Sequence, residues 1–340
     1  MSAGAVGAVR KALKKLIFGP PDYPQQVIVG MLEPQSDVTV YLRTSGPSEG
    51  VHDVTRIHMM ACASPFTVAI GTAERAAGGA PANWGRTAEL EFWERAASPV
   101  FLGQIELRHS GFIPSRGASE AGAAALQLFR ATGSRNKCLP AARIWARYAE
   151  YAYYRWKQPS PDVDMRARDV HAMCVYYSCP RPVGLVSVSD GGATNLFPMN
   201  LMGPVGGGRF AFALNTGKPV TQLIERVRRI AISTVPLVQA KTVYAMAMNH
   251  KKDSIDVTDL PFSVRRSAEF GLPVPEFALR VREMEVEEIA RPGSHTLFLA
   301  RVLRDVSCEP AGSAASQFFT LHGIYQARRA PREDFAKTTA

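Results

Sequence analysis

Residues 178–200 read SCPRPVGLVSVSDGGATNLFPMN. The bracket Pro180-Arg181-Pro182 leads into an apolar run, 183–188, with the length and β-branched content of a buried strand. Asp190-Gly191-Gly192 is turn chemistry, because glycine reaches the backbone angles of tight turns without steric cost. The chain then leaves as Asn195-Leu196-Phe197-Pro198-Met199-Asn200, a second arm that carries no charge. The expected unit is a hairpin with an unusually neutral second strand.

The pattern extends in both directions. Downstream, 210–214 reads as a strand, Asn215-Thr216-Gly217-Lys218 as a polar turn, and Pro219 as the first residue of a helix, where its missing N–H costs nothing. Val220, Leu223, Ile224, Val227 and Ile230 give that helix one apolar face. A donor-rich turn at a helix N-terminus is an anion site, and an ordinary surface turn is the competing reading. Upstream, strand composition recurs at 26–32, 38–43, 65–72, 89–93 and 100–108. Ser119 predicts a cap for a helix over EAGAAALQLFRA, ending near Gly133, and Pro140 opens a second helix over 140–157. In that second helix Trp145, Tyr148, Ala149, Ala152 and Trp156 share one face, which predicts packing on a sheet. Residues 158–164, QPSPDVD, read as a linker, and strands with little helix are expected from there to about 220.

DVTRIHMMACASPFTVAIGT, from Asp53, echoes DVHAMCVYYSCPRPVGLVSV, from Asp169. Both pass from Asp-Val through His and Cys to Pro and an apolar strand. Chance produces such an echo, and so does a degenerate duplication.

The bulk numbers bound the class. The chain has 340 residues, 46% hydrophobic and 21% charged, which suits a soluble globular protein with room for two domains. Its net charge is +10. The basic residues are scattered, which argues against nucleic acid and leaves any anionic ligand open. Five cysteines without a C-x-x-C pair, and no secretory signal, predict a reduced, cytoplasmic protein. The long uncharged stretches 59–73 and 191–208 are too short, or too rich in Gly, Pro and Asn, for a transmembrane helix. His58 with Cys62, and His171 with Cys174 and Cys179, match no standard metal spacing, so no metal is expected. GGGRFA, from Gly206, mimics a dinucleotide fingerprint but precedes a strand, which is the wrong context.

RPVGLVSVSDGGATNLFPMN resembles the first hairpin of the flavin reductase-like family, the FMN-binding split barrels. FAFALNTGKPVTQLIERVRRIAIS (210–233), EFALRVREMEVEEI (276–289), GSHTLFLARV (293–302) and LHGIYQARR resemble, in order, the family's phosphate loop and helix, a charged strand, a Gly-x-His-Thr strand and the closing strand. The resemblance covers about 178–328. It implies an α+β protein, mainly β, with an FMN-binding split barrel over 161–330. A β-rich and helical region, 1–160, precedes it (a degenerate barrel repeat if the echo is real), and 331–340 is a tail. It implies FMN held by Arg181, Asn195, Phe197, Pro198, Met199 and Asn200 at the ring and by Asn215, Thr216 and Lys218 at the phosphate. An uncharged arm suits a flat ring that needs only a few hydrogen-bonding groups. His295 would be the catalytic residue, near the flavin and a bound NADH or NADPH. The implied activity is hydride transfer from NAD(P)H to flavin, in a homodimer acting on a small-molecule substrate. MGPVGGGRF stands where many relatives carry a Pro-Pro pair, so FMN binding is better supported than free flavin reduction. A flavoprotein with a dedicated substrate, and a non-enzymatic flavin- or haem-binding protein, are the alternatives.

Overall fold

The computed structural model describes residues 26–31, 37–45, 49–72, 84–114, 126–157, 163–308, 317–322, 325 and 335–336. The N-terminal part supplies β1 (Gln26–Met31), β2 (Val38–Ser45), β3 (Gly50–Asp53), β4 (His58–Ala63), β5 (Phe66–Gly71), β6 (Thr87–Glu94), β7 (Val100–Ile113) and β8 (Leu126–Asn136). Two helices follow, α1 (Ala141–Lys157) and α2 (Ala167–Tyr176). The C-terminal part then runs β9 (Arg181–Pro182), β10 (Gly184–Ser189), β11 (Thr194–Met199), β12 (Met202–Gly206), β13 (Arg209–Asn215), α3 (Pro219–Val227) and β14 (Arg229–Thr234). After α4 (Ala240–Ala245) come β15 (Val264–Arg266), β16 (Pro273–Pro275), β17 (Arg280–Ala290), β18 (His295–Ser307) and β19 (Gln317–His322). The fold is α+β and mainly β, as expected.

Two seven-stranded sheets carry the molecule, in the orders β3-β2-β6-β7-β8-β5-β4 and β11-β10-β14-β17-β18-β13-β12. The orders are the same once β2 to β8 are matched in sequence with β10, β11, β12, β13, β14, β17 and β18. Every pairing in both sheets is antiparallel. The N-terminal half therefore repeats the topology of the C-terminal barrel. The register differs from the one the DV…P echo suggests. That echo sets β5 against β10, whereas strand order sets β5 against β13 and β2 against β10. Strand pairing is decided by register across the whole sheet, which a local echo does not contain.

Each sheet closes over its own core. Val40, Leu42, Phe66, Leu90, Phe92, Ile105 and Phe129 lie in the N-terminal core, with Tyr176 and Phe319. Val186, Phe197, Phe212, Ile224, Ile232 and Phe298 lie in the C-terminal one. A third cluster lies between the sheets and draws Met59, Ala69, Leu126 and Leu128 together with Val205, Ala211, Leu297 and Leu299. The chain ends are also interleaved: β1 pairs with β19, and β19 with β9.

Three local expectations are corrected. The helix expected after Ser119 is, from Leu126 on, the strand β8, paired with β5 and β7. Its alanine- and leucine-rich sequence favours helix, but the alternation of Leu126, Leu128 and Arg130 with Gln127, Phe129 and Ala131 serves a strand between two partners. The second helix is present as α1, yet of its expected buried stripe only Tyr148 is half-buried; Ala149 and Ala152 are exposed, and Trp145 and Trp156 are 65% and 81% exposed. Ile144 and Arg147 are buried instead, with Tyr148 and Tyr151 half-buried, one helical face turned from the expected one. Helix α2 falls where little helix was expected, and packs on β5, β7 and β8.

Candidate functional site

The site is built around β18. His295 opens that strand directly opposite Asn215, the last residue of β13. Past Asn215 the chain turns through Thr216 and Gly217. The Asn215 side chain accepts from the Gly217 N–H at 3.0 Å, and the Thr216 N–H donates to the Ser294 carbonyl at 3.1 Å. Lys218 then stands at the N-cap of α3 with Pro219 at the first helical position. Thr296 donates to the Thr216 hydroxyl at 3.1 Å, tying the turn to β18. The loop is therefore fixed from both sides, and it ends at the positive end of a helix dipole.

The second arm of the opening hairpin, β11, forms the opposite wall. An open cleft of about 220 Å³ is lined by Phe197, Pro198, Met199, Asn200 and Leu201 on that side, and by Ala213, Leu214, Asn215, Lys218 and His295 on the other. His250 and Val163 complete the rim. The wall is apolar, the polar groups are few, and the cationic end lies at a helix N-terminus. That donor set fits a flat aromatic ring joined to an anionic group, as a flavin mononucleotide is.

His295 is 6% exposed, and burial pushes its imidazole down to about 4, so it is neutral at pH 7. Its Nδ1 lies 2.9 Å from the Ser294 hydroxyl and, at 3.5 Å, faces the backbone N–H of Ala63. A backbone N–H only donates, so Nδ1 is the acceptor and Nε2 carries the proton. The histidine thus offers the cleft an N–H donor without a charge. The partners that set this tautomer come partly from the N-terminal half, which no motif in the sequence signalled.

The structure gathers most of the expected residues, but three do not line the cleft. Thr216 lies in the turn beside it, with its hydroxyl held by Thr296. Asn195 is fully buried behind the cleft wall, where its Nδ2 donates to the carbonyls of Asn249 and Lys252, at 3.0 and 2.9 Å. Arg181 is buried beneath the N-terminal sheet. One guanidinium nitrogen lies 2.7 Å from His58 Nε2, and the group sits 3.7 Å over the Tyr176 ring. Burial, and then the Arg181 charge, hold His58 neutral, well below its usual range. Of the other histidine expected near cysteines, His171 stacks on Tyr148 with ring centres 3.7 Å apart. Sequence reading missed His250 and Val163. Val163 lies in the expected linker, and its neighbour Asp164 lines a second cleft of about 420 Å³ with Tyr148, Tyr151, Trp156 and His171.

Residues 176–322 match the model of the flavin reductase like domain. Among solved structures, the Streptomyces globisporus NADH:FAD oxidoreductase SgcE6 is 20% identical over 54% of this chain and 99% of its own, with a TM-score of 0.41. An FMN-binding protein from Thermus thermophilus is 21% identical over 41% of this chain and 81% of its own, TM-score 0.36. The styrene monooxygenase flavin reductase of Pseudomonas putida is 20% identical over 40% and 86%, TM-score 0.34. No curated protein matches the chain. No helix among the described residues is long and apolar enough to cross a membrane. The family match supports a flavin cofactor and flavin-related redox chemistry. Residues 176–322 make up a flavin reductase like domain.

Proposed function

We propose that the cleft between β11 and the β13–α3 turn binds FMN, and that the protein passes hydride from NADH or NADPH to it. One observation carries the reading. Phe197, Pro198, Met199, Asn200, Asn215, Lys218 and His295, drawn from motifs far apart in sequence, line a single cleft. Phe197, Pro198 and Met199 supply an apolar bed, and Asn200 a neutral hydrogen-bonding group. Lys218 and the amides that open α3 match a phosphate in charge and geometry. His295 holds its proton at Nε2, where a donor orients a carboxamide or steadies negative charge that develops in the cleft. When bound, the flavin supplies the hydride-accepting chemistry, and the protein supplies position and electrostatics.

The test is optical. The purified protein titrated with FMN is expected to hold a chromophore absorbing at about 450 nm, a property of the cofactor, and to bleach with NADH or NADPH without oxygen. Retention without bleaching by either nucleotide would favour the second reading, a flavoprotein with its own dedicated substrate. A second cleft, lined by Tyr148, Tyr151 and Trp156, offers an aromatic surface suited to a planar substrate and favours that reading.

A further inference from the structure

We propose that this chain is its own dimer. The N-terminal sheet acts as a built-in second copy that has lost its ligand site, and its turn at residues 62–65 positions Ser294 and His295 in the remaining one.

The register carries the first part. The β7–β8 hairpin slips between Glu106 and Leu107 and again between His109 and Gly111; β17–β18 slips between Glu283 and Met284 and between Val286 and Glu288. The slips fall at the same intervals. Aligning them places Leu126 on Leu297, Leu128 on Leu299 and Ile113 on Ala290. The pairings of β5 with β8 and of β13 with β18 then place Ala69 on Ala211 and Gly71 on Ala213. The slips in β4–β5 and β12–β13 place Ala61 on Val205 and Met59 on Gly203. All of these except Gly71 and Gly203 belong to the apolar cluster between the sheets or pack on it. The two glycines are also at the seam: a Cβ on Gly71 would fall on the Val205 carbonyl, and one on Gly203 would lie 3.9 Å from Met59 Cβ. The same patch thus faces itself, as across a two-fold axis between identical chains, with Met59 and Gly203 meeting beside that axis.

The same alignment shows what the N-terminal copy has lost. Gly50, His52 and Asp53 stand where the other half has Asn195, Phe197 and Pro198. The connection from Gly71 to Thr87 is as long as that from Ala213 to Arg229. Counted along the sequence, Ala73, Glu74 and Ala76 correspond to Asn215, Thr216 and Lys218, and Ala124 to His295. By sequence count alone, no lysine stands at the position that answers to Lys218.

The clamp is the third part. The Ser64 N–H donates to the Ser294 hydroxyl at 3.1 Å, and the Ser294 N–H to the Ser64 carbonyl at 2.9 Å. Because Nδ1 is an acceptor, as the facing Ala63 N–H requires, the Ser294 hydroxyl donates its proton to it while accepting from Ser64. Cys62 Sγ lies 3.4 Å from that hydroxyl. Gly293 leaves no room for more: a Cβ there would lie 2.5 Å from both the Ser64 carbonyl oxygen and Pro65 Cδ. Ser294 is accordingly a positioning residue.

The ligand count rests on the flavin reading; the seam and the clamp do not. Light scattering is expected to give a single chain, with Leu128→Arg lowering the melting temperature and leaving the mass unchanged. A dimer that Leu128→Arg splits would overturn the internal seam. Titration is expected to saturate at one FMN per chain, and two per chain would overturn the lost site. Nitrogen-15 NMR, with no ligand added, is expected to show His295 protonated at Nε2, a preference weakened in Ser294→Ala, where the Ala63 N–H alone still faces Nδ1 at 3.5 Å, and kept in Ser294→Thr. A tautomer population in Ser294→Ala equal to that of the unaltered protein would overturn the clamp. Gly293→Ala is expected to weaken FMN binding tenfold or more, and undiminished binding would count against the clamp as well. If FMN does not bind the unaltered protein, the flavin reading fails, while the scattering and NMR results still decide the seam and the clamp.

Discussion

At the scale of single residues, His295 links stability to pH. Its folded imidazole sits near 4 and an exposed one near 6.5, so below 6.5 the unfolded chain takes up the proton first. The stability is complete above pH 6.5 and drains away as the pH falls toward 4, by roughly 3 kcal/mol from this group alone. His58 acts in the same direction. Melting temperatures between pH 7.5 and 4.5 are expected to fall steeply, and His295→Gln to flatten part of the slope; a slope unaltered by the substitution would place the titration elsewhere. In the cleft, Lys218→Ala is expected to weaken FMN by about 1 to 3 kcal/mol, the scale of a charge-assisted contact, with riboflavin affinity nearly unchanged. Calorimetry with both ligands separates a phosphate contact from a general loss of structure. His295→Ala is expected to keep FMN bound and to slow its reduction by roughly tenfold, the lower range for one positioned polar group. Stopped-flow reduction of the loaded variant reads it, and an unchanged rate makes the histidine a rim residue.

Elements differ in how openly the sequence shows them. The hairpin β10–β11, the turn before α3 and the strand β18 were legible because each carries its own local signal: a glycine turn, a proline at the first helical position, a strict alternation. In β18 that alternation sorts Leu297 and Leu299 to the seam and Phe298 and Ala300 to the barrel core. Strand β8 was not legible, because its alanines and leucines state a helical preference that only its partners overrule. Arg181 and Asn195 were read as ligand contacts from a motif. Motif position does not say which face of a strand meets the cleft and which meets a neighbouring loop. The clamp on His295 was invisible, since residues 62–65 and 293–295 meet only through the packing of the two halves. The loop after β15 has a support that is equally non-local. Glu283 on β17 is 2% exposed and accepts from the Ser267 hydroxyl at 2.5 Å and from the N–H groups of Glu269 and Phe270, both at 2.8 Å. Removing it strands three donors, so Glu283→Ala is expected to cost about 2 to 4 kcal/mol in urea unfolding. A loss below 1 kcal/mol would mean that water replaces the carboxylate freely.

For the whole molecule, the two halves share an apolar seam. Residues 161–340 expressed alone would leave Val205, Ala211, Leu297 and Leu299 facing water, a contiguous apolar patch of the kind that drives association. β19 would also lose β1, its partner across Gln26–Met31. The fragment is expected to be poorly soluble, and a well-behaved, FMN-loaded fragment would show that the barrel stands alone. Met59 against Gly203 carries a further consequence, one of descent. In a pair of identical chains a mutation on a two-fold axis arrives twice, so methionine would meet methionine, or glycine would meet glycine. A bulky residue set against none at that spot is open only to a duplicated gene whose copies mutate one at a time. Volume gained on one side can then be given up on the other, so this seam records an ancestry in which neither half has been free to change without its twin.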